Sequence, residues 1–118
     1  MIFEPQAQDR GNLRVFQYDY GTPVIFLAGQ DQGFQIGEQI AFVFQTDAIT
    51  DKVFTVDAED YSLSLKLEKS EADALYNGDV PEYIRIPFSA KRYSASGEFL
   101  ETVLNGYLIV METVEWQS

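Results

Sequence analysis

The chain has 118 residues, with nineteen acidic residues against eight basic ones and a formal net charge of -11. That length fits a single domain over residues 1–118, and a hydrophobic content of 46% argues against a disordered acidic chain. The scarce, scattered Lys and Arg residues argue against a nucleic-acid partner and an anionic membrane surface, because both attract clustered positive charge.

The first half of the chain predicts short strands separated by turns. Residues 1–11 are expected to form an N-terminal arm that Ile2 and Phe3 anchor, and they show no signal-peptide pattern. Strands are predicted at 13–20, 24–28, 39–45 and 53–56, with a loop at 29–37. The third strand alternates apolar and polar residues in a way that places Phe42 in the core.

One short helix is predicted between two strands of the second half. Before it, Leu63, Leu65 and Leu67 alternate with polar residues, as in a strand with one buried face. Ser70 is expected to cap the helix, since its hydroxyl can accept a hydrogen bond from a first-turn amide. The helix itself is predicted over 71–76.

A long strand is predicted directly after the helix. Ile86 and Phe88 should face the core, because they alternate with residues of the other face. Pro87 cannot donate to a sheet ladder, so we expect an edge strand or a bulge. The adjacent basic residues Lys91 and Arg92 are interpreted as the end of this strand in water.

A turn at 94–97 and a hairpin at Asn105-Gly106 are predicted near the C-terminus. Asn-Gly is the strongest two-residue hairpin signal, since both turn positions need positive φ. The strand predicted over 107–114 is apolar on both faces at its start, so we expect it to be central in its sheet. Together these segments predict an all-β fold, a β-sandwich with one short helix between two strands.

Catalytic and metal-binding sets are not expected, because the chain has no histidine and no cysteine. Histidine is the usual general base and the commonest metal ligand, so we predict no enzyme, no metal and no cofactor. Two acidic turns could supply calcium ligands, because calcium is bound in proteins by oxygen atoms. They contain Asp47 and Asp51, and Asp57, Glu59 and Asp60. We favour solvated turns of an acidic protein.

Amphipathic aromatic residues are the remaining candidates for a binding surface. Such side chains anchor protein interfaces, stack on sugars or pack within a small sandwich. The candidates are Tyr18, Tyr20, Tyr83, Tyr93 and Trp116. We expect partner binding at the end of the last strand, where Val114 and Trp116 share a face, unless Trp116 folds back on its own sandwich. Tyr18 and Tyr20 of the first strand are the alternative contact.

The second half of the chain resembles the N-terminal domain of phage baseplate upper proteins. Three segments carry the resemblance, namely LSLKLEKSEADALYNGD, EYIRIPFSAKRY and SASGEFLETVLNGYLIV. They reproduce a strand leading into a short helix, a glycine, a long strand, a turn, and a glycine that opens the final strand. The similarity spans residues 61–110, and the first half follows the same order of elements.

This resemblance implies an immunoglobulin-like β-sandwich that acts as a structural adaptor in a phage tail. It implies self-association and several copies docked on a ring-shaped tail core, in a virion assembled in the host cytoplasm. Such proteins often continue into a longer C-terminal part, so we expect either a fragment of one or a stand-alone adaptor.

Two other functions remain open. A carbohydrate-binding β-sandwich would need coplanar aromatic side chains exposed on one face. An acidic immunity or inhibitor protein would instead mask a basic partner, such as a nuclease or toxin. In every case the expected partner is a protein or a glycan, and function lies in a surface.

Overall fold

The computed structural model describes residue 3 and residues 12–16, 23–75 and 83–111 of the chain. Within these ranges the chain forms strands joined by turns and one short α-helix. The strands are β1 (Asn12–Phe16), β2 (Val24–Leu27), β3 (Gln39–Phe44), β4 (Lys52–Thr55), β5 (Ser62–Leu65), β6 (Tyr83–Tyr93) and β7 (Phe99–Met111). Helix α1 (Lys69–Leu75) lies between β5 and β6, and a 3-10 turn covers Gln30–Gln32.

The described strands form two sheets. The larger sheet has the order β1-β7-β6-β3-β4, and the smaller one pairs β2 with β5. Strands β1 and β7 are parallel, and the other pairs are antiparallel. The predicted all-β sandwich with one short helix between two strands is confirmed. The order is compatible with an immunoglobulin variable-type sandwich, but the chain lacks that fold's cysteine pair, so the immunoglobulin-like form stays a prediction.

The core lies between the two sheets and uses alternate residues of the strands. Phe26 of β2 and Phe42 of β3 are fully buried, and their ring centroids lie 5.2 Å apart. Phe88 of β6 joins them, with its centroid 6.3 Å from that of Phe42. Ile86, Phe88 and Phe42 are all buried, as the alternation predicts. Each buried side chain of this size stabilises the fold by about 1.5–3 kcal/mol, so the cluster joins the sheets.

Phe3 is the residue of the predicted N-terminal arm that the structure describes, and the rest of that arm, including Ile2, lies outside the described residues. The Phe3 side chain is buried, and its ring stacks on Phe26 with a centroid separation of 4.7 Å. The same ring meets Phe34 edge to face at 5.5 Å. Phe3 therefore extends the aromatic core toward the loop between β2 and β3.

Helix α1 begins earlier than predicted. It starts at Lys69, so Ser70 lies inside its first turn and the predicted Ser70 cap is wrong. Glu71 caps the helix instead, because its Oε1 accepts a hydrogen bond from the backbone amide of Glu68 at 2.9 Å. This contact is the reciprocal half of a capping box, in which the third helical residue reaches back to the residue before the helix. A carboxylate held in place by Lys52 is a stronger acceptor than the Ser70 hydroxyl.

Strand β6 is central, so the edge position predicted from Pro87 is wrong. It pairs with β3 on one side and with β7 on the other. Pro87 is tolerated because it lies opposite the end of β3 at Phe44. Just past that end, the backbone amide of Gln45 donates a hydrogen bond to the Pro87 carbonyl at 2.9 Å. The amide and carbonyl of one strand residue point the same way, so the missing N–H falls where the ladder stops. Bulges lie further along, at Ala90/Lys91 and Arg92/Tyr93.

The Asn105-Gly106 pair lies inside β7, so the hairpin predicted there is wrong. The chain reverses earlier, at the predicted turn 94–97, where Gly97 has a left-handed φ of 92°. Within the ladder, Asn105 pairs with Ser89 and Gly106 pairs with Phe88. Pairing of β7 with β6 along nearly their whole length outweighs the local turn preference of Asn-Gly. The predicted central position of the last strand is confirmed, since β7 lies between β1 and β6.

Candidate functional site

The residues predicted to bind a partner lie outside the described part of the chain. This applies to Val114 and Trp116 after β7, and to Tyr18 and Tyr20 after β1. Those contacts stay predictions.

The two acidic turns do not form a metal site. Asp57, Glu59 and Asp60 are exposed in the connection between β4 and β5, and Asp47 and Asp51 are exposed before β4. Among the described residues, no three carboxylates come close enough together to hold a metal ion. The carboxylates of both turns are therefore exposed to solvent and are not gathered into one cluster.

The side of the larger sheet that faces away from the core is the most distinctive surface. Its residues alternate with the buried ones, since Ile86, Phe88 and Ala90 point into the core and their neighbours point out. We call this surface the outer face. It comprises Val43, Arg85, Pro87, Ser89, Lys91, Tyr93, Phe99, Asn105 and Tyr107.

Cations and aromatic rings are paired on the outer face. The guanidinium carbon of Arg85 lies 4.0 Å from the ring centroid of Tyr107. The ammonium nitrogen of Lys91 lies 6.0 Å from the ring centroid of Phe99, which also meets Tyr93 edge to face at 5.7 Å. A cation above an aromatic ring at an exposed site gains about 0.5–1 kcal/mol, so these contacts hold both charges against the sheet.

A shallow groove runs between the two cation–aromatic pairs. Its volume is about 480 Å³, and it crosses β3, β6 and β7 beside Val43, Ser89 and Tyr107. At its floor, the Ser89 hydroxyl donates a hydrogen bond to Oδ1 of Asn105. Phe99 and Tyr107 remain 55% and 37% exposed, although large aromatic side chains are normally covered in small domains. The groove therefore combines apolar side chains such as Val43 and Tyr107 with polar ones such as Ser89 and Asn105.

Arg92 is engaged within the fold, so its interpretation as a strand end in water is wrong. Its Nη2 donates to Oε2 of Glu38 at 2.6 Å, and its Nε donates to Oε1 at 3.1 Å. The Glu38 carboxylate is buried, and its Oε1 also accepts a hydrogen bond from the backbone amide of Gln35 at 2.7 Å. These hydrogen bonds raise the pKa of Arg92 and tie the loop before β3 to β6.

Lys52 is likewise engaged with a buried carboxylate. Its ammonium donates to both oxygens of Glu71, at 2.7 and 2.9 Å. Burial alone would raise the pKa of Glu71, but hydrogen bonds from Lys52 and from the amides of Glu68 and Thr50 outweigh it. The pKa of Glu71 therefore lies below its ordinary value, and the pair joins α1 to β4.

The outer face was only partly visible in the sequence. Alternation along β6 places Arg85, Ser89 and Lys91 on one face, opposite the core residues. The rings that pair with the cations come from β7. The extra hairpin predicted at Asn105-Gly106 would have put Phe99 and Tyr107 on different strands, whereas both lie on β7 and face β6. The buried ion pairs Glu38–Arg92 and Lys52–Glu71 join residues that are 54 and 19 positions apart, so no local sequence pattern predicts them.

Comparison with known proteins does not identify a role for the outer face. No protein-family model, no curated protein and no solved structure matches the chain. The resemblance to phage baseplate upper proteins stays a hypothesis that rests on residues 61–110. None of the helices in the described ranges has the length and apolar character needed to cross a membrane.

Proposed function

We propose that this protein is a non-enzymatic structural adaptor that docks onto other proteins through its outer face. The observation that carries the proposal is the groove beside Tyr107, where an aromatic ring stays exposed on a sheet whose opposite side is fully packed. Interfaces are built around such partly exposed aromatic and arginine side chains, with polar groups at the rim. Arg85 over Tyr107 supplies both kinds of residue at one spot.

The setting that we propose is a phage tail or baseplate, or a prophage relic that encodes one. The support is the similarity of residues 61–110 to baseplate upper proteins, together with a sandwich that carries one short helix between β5 and β6. An adaptor of this kind acts by contact alone, and a chain without histidine or cysteine suits such a role. Several copies would dock on a tail core.

The ring geometry of the outer face favours a protein partner over a glycan. A sugar-binding platform needs coplanar exposed rings, but Tyr93 and Phe99 meet at an interplanar angle of 68°. One side of Tyr107 is already covered by the Arg85 guanidinium. An inhibitor of a basic protein would need carboxylates at its contact, and the outward positions of β6 carry none.

The direct test is to mix the purified chain with proteins encoded by the neighbouring genes and to measure the mass of the complex by light scattering. We expect a complex that holds several copies of the chain. Tyr107→Ala should weaken it by about tenfold or more, which is the loss of about 1.4 kcal/mol expected at a central aromatic anchor.

Ile36→Ser is the matched control for that experiment. Ile36 is 55% exposed but lies in the loop before β3 and does not line the groove. We expect this variant to bind as the unmodified chain does. Equal binding by all three proteins, or no complex with any neighbour-encoded tail protein, would contradict the proposal.

A further inference from the structure

The charge of the outer face is opposite to that of the protein. The chain carries a formal net charge of -11, yet no Asp or Glu occupies an outward position of β3, β6 or β7 in the described ranges. Arg85 and Lys91 both occupy such positions. Neither is within ion-pair distance of a carboxylate that the structure describes.

The lack of a carboxylate partner distinguishes Arg85 and Lys91 from other basic residues of the described part, which form ion pairs inside the fold. Lys52 and Arg92 each donate two hydrogen bonds to a buried carboxylate. Among the described residues, no carboxylate forms an ion pair with Arg85 or Lys91. A desolvated cation needs a compensating negative charge, so any protein that covers this face must supply it.

We propose that the outer face receives an acidic protein surface with an apolar side chain at its centre. This inference rests on the docking function proposed above and names the chemistry of the partner. The apolar side chain enters the groove beside Tyr107, and carboxylates of the partner meet the two cations. Complementary charge of this kind speeds association and selects the partner.

The spacing of the two cations defines the partner further. Arg85 and Lys91 are six residues apart on β6, so their Cα atoms are separated by about 20 Å. The groove lies between them. The partner therefore presents carboxylates at two ends of a patch of that length, with its apolar side chain in the middle.

A second copy of the chain joined face to face does not fit these requirements. A twofold-symmetric contact places the same patch of each copy against the other. Such a dimer would bring Arg85 and Lys91 of both copies together and no carboxylate between them, and like charges at close range repel. We therefore assign the acidic surface to another protein.

The partner's chemistry can be tested with a labelled copolymer of glutamate and tyrosine, using fluorescence anisotropy. We expect the copolymer to bind although the chain as a whole is acidic, and its binding to be lost at about 1 M salt, where charges are screened beyond about 3 Å. Arg85→Ser and Lys91→Ser should each weaken binding by roughly three- to fivefold, as expected for exposed ion pairs.

Lys66→Ser is the control, since it changes the net charge equally while Lys66 is exposed beside β5 of the other sheet. Thermal melts establish that each variant is folded. The proposal is overturned if Lys66→Ser weakens binding as much as Lys91→Ser, or if the copolymer does not bind.

The complex with a tail protein separates this inference from the docking function. If Lys91→Glu leaves that complex intact while Tyr107→Ala breaks it, the docking function holds and the acidic partner is wrong. If both variants leave it intact, the outer face is not the contact and the docking function fails as well. Loss of the complex with Lys91→Glu and not with Lys66→Glu is the expected result.

Discussion

The two faces of strand β6 differ in what surrounds their side chains. Ile86, Phe88 and Ala90 are at most 4% exposed and lie within the aromatic core. Arg85 and Lys91 alternate with them but contact rings of β7 on the open side. Successive residues of a strand point to opposite faces. One face of β6 can therefore stabilise the core while the other face forms a contact surface. Substitutions on the outer face should therefore have little effect on stability, and the inner face should not take part directly in binding.

The largest expected effect comes from the inner face. Phe88→Ala should lower the free energy of unfolding by about 3–5 kcal/mol, because it leaves a cavity beside Phe42 and Phe44. Tyr107→Ala on the outer face should lower it by only about 1 kcal/mol, because the ring is partly exposed and loses mainly its contact with Arg85. Urea denaturation of the two variants measures both values. Similar losses of unfolding free energy from the two substitutions would mean that both faces contribute equally to stability.

The next effect comes from the buried ion pair that fixes Arg92. Glu38→Gln should lower the free energy of unfolding by about 2 kcal/mol, because it removes the charge from two hydrogen bonds to the guanidinium. Glu101→Gln is the matched control, since Glu101 meets Arg92 at 3.5 Å with 45% of its side chain exposed. There we expect less than about 1 kcal/mol. A Glu101 effect as large as that of Glu38 would show that burial does not distinguish the two carboxylates.

A smaller effect should depend on pH. The pKa of Glu71 is lowered in the fold from an ordinary 4.5, so the native state binds fewer protons than the unfolded chain between the two values. The stability that this carboxylate contributes is complete above pH 4.5 and is lost as the pH falls through the folded pKa. Glu71→Gln should therefore destabilise the protein at neutral pH, and the difference should narrow below pH 4.5.

Urea midpoints of the unmodified chain and of Glu71→Gln, taken at several pH values, test this prediction. A difference between the two proteins that stays constant across the acid range would contradict it. Lys66→Gln serves as a control for the general effect of removing an exposed charge near α1.

Alternation was the part of the fold that could be predicted from sequence. It placed Phe42, Ile86 and Phe88 in the core correctly, because the side-chain period of a strand is local information. Turn chemistry was less reliable. The turn ending at Gly97 was predicted, but Asn105-Gly106 lies within β7, because pairing along β6 outweighs a two-residue preference.

The contacts that define the site join residues distant in sequence. Arg85 was placed on the outward side of its strand, but its contact with Tyr107 requires the register between β6 and β7. The same holds for Glu38 with Arg92, which are 54 residues apart. No single segment encodes such a pairing, so the charge asymmetry of the outer face emerges only from the assembled sheet.

The most direct test of the central claim is lysine footprinting of the chain, free and bound to the tail protein with which it forms a complex. Amine-reactive labelling, read by mass spectrometry, compares Lys91 on the outer face with Lys66 beside β5. The account predicts that binding lowers the labelling rate of Lys91 and leaves that of Lys66 unchanged. An unchanged rate at Lys91 in the bound chain would show that the outer face is not the contact surface.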